Sequence, residues 1–110
     1  MDIEVSRWGE TISKNAQYVV QPYYVPANTV RFEAPPGVLD YSFRWEPGRV
    51  AFQTVRGAGG ADVVARHVFT SGVPSPGGET IHLNHYVFTN TRNPLRHASE
   101  VIIEKFEYLP

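Results

Sequence analysis

Apolar and polar residues alternate along most of this chain with the period of two that marks half-buried strands. The alternating stretches are rich in Val, Ile, Phe, Tyr and Thr, and nine Gly and nine Pro punctuate them. This pattern predicts strands at about 1–7, 16–24, 28–33, 39–46, 49–56, 62–69, 79–88 and 100–109, with almost no helix. The clearest unit runs from Asp40 to Val55. Tyr41, Phe43 and Trp45 alternate with Ser42, Arg44 and Glu46, and Val50 to Thr54 returns as the second strand. Between them Glu46-Pro47-Gly48-Arg49 makes a tight turn, because Pro sets φ and Gly accepts the positive φ that follows. The alternation predicts that Trp45 belongs to the core. Gly57-Ala58-Gly59-Gly60 reads as a strand connection, residues 71–78 as a longer loop and 90–98 as a polar loop. Short strands at this spacing without helices imply an antiparallel β-sandwich.

The first strand carries the first chemical signal. Asp2 and Glu4 alternate with Ile3 and Val5, which puts two carboxylates on one face. A third carboxylate one step before Asp2 would complete a row, but the sequence starts at Met1. Rows of this kind matter because cleavage of a glycosidic bond uses a pair of carboxyl groups, one of them the acid. The plainer reading is two solvated residues on a terminal strand. On the second strand Gln17, Val19 and Gln21 share a face. Two glutamines there suit a strand that lines something wet, or equally the solvated side of a half-exposed sheet.

Composition narrows the classes. A chain of 110 residues is one domain at most. The formal net charge is −1 with scattered Lys and Arg, which argues against a nucleic-acid partner. No apolar run is long enough to span a bilayer, so no membrane partner is expected, and no signal peptide is read at the N-terminus. Zero cysteines exclude a disulfide framework and thiolate chemistry without fixing a compartment. His67, His82, His85 and His97 show no ligand spacing, and His82 and His85 fall on opposite faces of their expected strand, so no metal site is expected. No phosphate-binding loop precedes a helix, and no cofactor is expected.

Several segments together carry a family resemblance. Asp2-Ile3-Glu4-Val5-Ser6-Arg7-Trp8-Gly9 and Asn15-Ala16-Gln17-Tyr18-Val19-Val20-Gln21-Pro22-Tyr23 resemble bacterial members of glycoside hydrolase family 16, the laminarinase- and lichenase-like β-glucanases. Phe43-Arg44-Trp45-Glu46-Pro47-Gly48-Arg49-Val50-Ala51-Phe52 resembles the family's Trp-containing hairpin. Val73-Pro74-Ser75-Pro76-Gly77-Gly78-Glu79 with Leu83-Asn84-His85-Tyr86 resembles its proline loop and following inner strand. Val101 to Tyr108 resembles its closing strand. The resemblance implies a concanavalin-like jelly roll with an oligo- or polysaccharide in its concave groove. The expectation is a single partial jelly-roll domain over 1–110, truncated on the N-terminal side.

The family's catalytic strand reads Glu-x-Asp-x-Glu. Carried over, Glu4 is the acid/base and Asp2 the assisting residue, while the nucleophile has no counterpart. The resemblance also implies substrate contacts from Trp8, Gln17, Gln21, Asn84 and Tyr86, with His82, Asn84, Tyr86 and Phe88 on one strand face. Two functions follow as expectations: retaining hydrolysis of β-glucans, or a non-catalytic relative that binds sugar or only assembles. Missing strands would leave exposed edges or an uncovered apolar face, so a homodimer or higher homo-oligomer is expected.

Overall fold

The computed structural model describes residues 1–57, 62–86 and 99–109. Its strands are β1 (Asp2–Val5), β2 (Ala16–Val19), β3 (Thr29–Phe32), β4 (Leu39–Glu46), β5 (Arg49–Arg56) and β6 (Asp62–Phe69), with one short 3-10 turn at Pro26–Asn28. They form two three-stranded antiparallel sheets in the orders β1-β2-β3 and β4-β5-β6. The fold is all-β.

The second sheet begins with the 40–55 hairpin. Gly48 has φ 70° directly after Pro47, and the turn sets Glu46 opposite Arg49 and Trp45 opposite Val50. A bulge between Thr54 and Val55 shifts the β5–β6 register, and pairing continues as Val55 opposite Val63 and Arg56 opposite Asp62. In the first sheet β2 stops at Val19, short of the expected 24. Pro22 has no N–H to extend the ladder, and the chain instead folds through Val25 N–H to Pro22 O (3.3 Å) and Asn28 N–H to Val25 O (2.9 Å).

Ala16, Tyr18, Val20, Phe32 and Ala34 from the first sheet and its flanks meet Val50, Phe52 and Phe69 of the second in one buried cluster. The Tyr18 ring stacks on Phe52 at 4.9 Å and lies 4.6 Å from Phe32. Tyr41 and Trp45 pack against this cluster half-buried, and Trp45 Nε1 donates to Pro74 O at 2.8 Å. Phe43 shares their face but is 42% exposed. On β1 the alternation is clear: Met1 and Ile3 pack on the core, so Asp2 and Glu4 take the opposite face.

Two expected strands are corrected. Residues 79–86 and 99–109 are irregular. Their composition suits strands, but neither pairs with a free sheet edge. Ile81, Leu83, Val101, Ile102, Ile103 and Phe106 remain more than half exposed. An isolated extended segment buries too little to offset the entropy of ordering it, and its backbone groups stay with water. Residues 87 and 88 of the first expected strand, including Phe88, lie outside the described residues. So do residues 58–60 of the Gly57-to-Gly60 connection and the polar loop 90–98 with His97.

Candidate functional site

Register brings three polar side chains into one row across the first sheet. Glu4 on β1 stands opposite Gln17 on β2, which stands opposite Arg31 on β3. Neighbouring Ile3, Tyr18 and Val30 face the core, so the row lies on the opposite face, which is itself covered at β2, where Gln17 and Val19 are buried. Gln17 Nε2 donates to Glu4 Oε2. Arg31 Nη1 donates to Gln17 Oε1 at 3.2 Å. Arg31 Nη2 donates to Ser6 O at 3.0 Å and Lys14 O at 3.1 Å, tying the connection after β1 to the row. Gln17 is buried, with 8% of its surface exposed, and Glu4 and Arg31 are half-buried.

A second pair flanks this row. Gln21 Nε2 donates to Asp2 Oδ2 at 2.5 Å, and its Oε1 accepts the Tyr23 N–H at 2.9 Å. The two glutamines therefore follow one rule. Each has its carbonyl oxygen taken by a donor on the far side, Arg31 or the Tyr23 N–H, and turns its NH2 toward a carboxylate.

Electrostatics distinguish Glu4. Burial pushes its carboxyl above the ordinary range, and the negative charge of Asp2 adds to the rise. The Gln17 hydrogen bond and the Arg31 charge oppose this without cancelling it. A carboxyl that holds its proton more tightly than usual, half-buried on its strand, is suited to acid/base work.

Trp8 follows β1 in a tight connection. Its φ of 53° is left-handed, a conformation that costs a non-glycine residue about 1–2 kcal/mol. The Trp8 N–H donates to Ser6 Oγ at 2.9 Å, and the half-buried indole sits two residues beyond the carbonyl that Arg31 holds. Strain of this kind persists where surrounding contacts over-determine it.

Of the expected site residues, Glu4, Asp2, Gln17 and Gln21 are thus brought together, with Trp8 on the adjoining connection. Asn84 and Tyr86 are not. Both are exposed in the irregular 79–86 segment, and no hydrogen bond among the described residues joins them to the row. Without a strand, His82, Asn84 and Tyr86 have no common sheet face. His82 instead lies 2.9 Å from Thr80 Oγ1, and His85 lies 3.0 Å from Ser99 Oγ. Arg31 is the residue that sequence reasoning missed. Its signal was its place between Val30 and Phe32, which puts it on the polar face with Gln17. Among the described residues no group of three His, Asp or Glu side chains is placed to hold a metal ion.

No protein-family model, curated protein or solved structure matches the chain.

Proposed function

We propose that the polar face of β1–β3 is the polysaccharide-binding face of a glycoside hydrolase family 16-like domain directed at β-glucans, with Glu4 as acid/base and Asp2 assisting it. On this reading the two sheets are parts of a concanavalin-like jelly roll. The observation that supports it is the Glu4 carboxyl itself. Burial and the Asp2 charge raise its proton affinity, while Gln17 fixes one of its oxygens. An acid that must protonate a leaving glycosidic oxygen needs both properties. Amide-bearing side chains beside it suit a sugar, which offers hydroxyls as donors and acceptors.

A second reading, sugar binding without turnover, is favoured by the carboxylate count on β1. Its residues Asp, Ile, Glu and Val supply an acid and a helper. Retaining chemistry needs a further attacking carboxylate about 5–5.5 Å from the acid. Asp2, on a shorter arm and held by Gln21, is the helper.

Reducing-sugar release from laminarin and lichenan, measured beside calorimetric titration with their oligosaccharides, separates the readings. Release that disappears in Glu4→Gln establishes the hydrolase. Binding without release establishes the second reading. Absence of both removes the sugar from the account.

The same reading includes self-association into a homodimer or higher oligomer. It draws support from the exposed apolar side chains of 101–109 and from sheet edges that no strand among the described residues covers.

A further inference from the structure

We infer that Arg31 is a positioning residue for Glu4: by occupying the carbonyl oxygen of Gln17 it turns that amide's N–H onto Glu4 Oε2, which leaves Oε1 as the oxygen that carries the acid's proton. The inference rests on Glu4 being the acid of the proposed site.

The logic lies in the donor inventory. A guanidinium only donates, so it can meet the Gln17 side chain only through Oε1, and it does so at 3.2 Å. The NH2 of Gln17 then points to β1 and meets Oε2 of Glu4. An oxygen that accepts this N–H cannot also bear a proton facing it. Protonation of Glu4 is therefore directed to Oε1.

Without Arg31 the amide is free to rotate by half a turn. Its carbonyl oxygen would then face Glu4 and accept the carboxyl proton in an internal hydrogen bond. That arrangement spends the proton inside the sheet and withholds it from a ligand. Arg31 excludes it, and Arg31 is itself held. Its Nη2 is clamped by two backbone carbonyls, Ser6 O and Lys14 O, so the side chain cannot swing away without releasing the connection after β1. The charged and polar groups that face Glu4 are Asp2 from its own strand, the neutral Gln17 from β2, and Arg31 on β3 acting through Gln17.

The test reads the row directly and needs no sugar. Carboxyl-carbon NMR follows the titration of Glu4, and side-chain nitrogen NMR follows the Gln17 NH2, in the wild type, Arg31→Met and Arg31→Lys. The expected result in Arg31→Met is an upward shift of the Glu4 midpoint together with loss of the shifted Gln17 N–H resonance that marks its bond to a carboxylate. Arg31→Lys keeps a charge but not the fork, so it is expected to restore part of the midpoint and not the Gln17 resonance. Loss of the Arg31 charge by itself moves the Glu4 midpoint upward, so a folded Arg31→Met protein that keeps the shifted Gln17 N–H resonance overturns the inference. If that variant does not fold, Arg31→Lys carries the same test: a Gln17 N–H resonance that stays at its wild-type position there overturns the inference. Failure of the wild type to bind oligosaccharide would sink the proposed function while leaving these spectra to judge Arg31 alone.

Discussion

The Tyr18 hydroxyl lies 2.6 Å from Thr54 Oγ1 and 3.3 Å from Ala65 O, joining the first sheet to two strands of the second inside the core. Tyr18 has one hydroxyl hydrogen and a carbonyl only accepts. Satisfying both contacts has Tyr18 donate to Ala65 O while Thr54 donates to Tyr18 Oη. Tyr18 and Thr54 are both fully buried, so this polar bridge specifies how the two sheets sit on an otherwise apolar interface.

Removing one end of the bridge exposes its cost. Tyr18→Phe leaves the Thr54 hydroxyl buried without its acceptor, and about 1–3 kcal/mol of stability should be lost. Adding Thr54→Val should cost less than the sum of the two single changes, since both partners are then apolar. Urea denaturation of the four proteins measures this. Additive losses would show that the bridge carries no coupling.

The raised proton affinity of Glu4 makes stability depend on pH. A carboxyl that binds its proton more tightly when folded favours the folded state at low pH. That advantage fades as pH climbs from the ordinary carboxyl range through the raised value, because the native state then holds more protons than the unfolded one. Above that window the charged Glu4 is a fixed penalty. Glu4→Gln keeps an acceptor for Gln17 and removes the charge, so it should raise the thermal midpoint at neutral pH. The gain should disappear in acid below the ordinary carboxyl range. A midpoint difference that ignores pH would contradict the assignment.

Gly48 tests the hairpin. A Cβ there meets no atom within 4 Å, so a substitution is opposed only by the φ of 70°. Gly48→Ala should cost about 1–2 kcal/mol. In a domain of this size that lowers the thermal midpoint by roughly 4–8 °C for each kcal/mol. Gly48→Asn, which tolerates the left-handed region better, should cost less. Equal losses would mean that the turn is not what limits the site.

The irregular C-terminal segment bears on assembly. Ile102 is 74% exposed and Ile103 54%. Replacing both with Lys removes little burial from the single chain, so its unfolding midpoint at high dilution should hardly move. Light scattering at micromolar concentration should read a dimer or larger for the wild type and a shift toward monomer for the variant. A monomeric wild type removes the self-association proposal.

Strands β4, β5 and β6 were legible to the residue because alternation, a Pro-Gly turn and a buried inner face all agree there. The segments 79–86 and 99–109 were misread for a physical reason. A strand requires a neighbour, and local composition cannot say whether one is available. Within the site, the period of two sufficed to align Asp2 with Glu4 and Gln17 with Gln21. It could not reveal that Arg31, two strands from Glu4, governs the amide that stands between them, because a lone Arg in an alternating strand reads equally well as a solvated charge. The left-handed Trp8 was similarly invisible, since nothing in its residue type marks the conformation. Asn84 and Tyr86 rested on resemblance alone, and the chain gives them no sheet to stand on.

Because β1 ends its sheet in the order β1-β2-β3 among the described residues, Glu4 has a cross-strand neighbour there, Gln17, on one side and none on the other. The sheet can be extended there by any chain that supplies an extended segment, a mode of recognition that reads backbone before side chain. Such a guest would run about 4.8 Å from β1, close enough for its side chains to touch the carboxyl that Gln17 already holds from within. A side chain laid there would meet Glu4 on one face of β1, while Val5, 62% exposed at the strand's end, belongs to the other face.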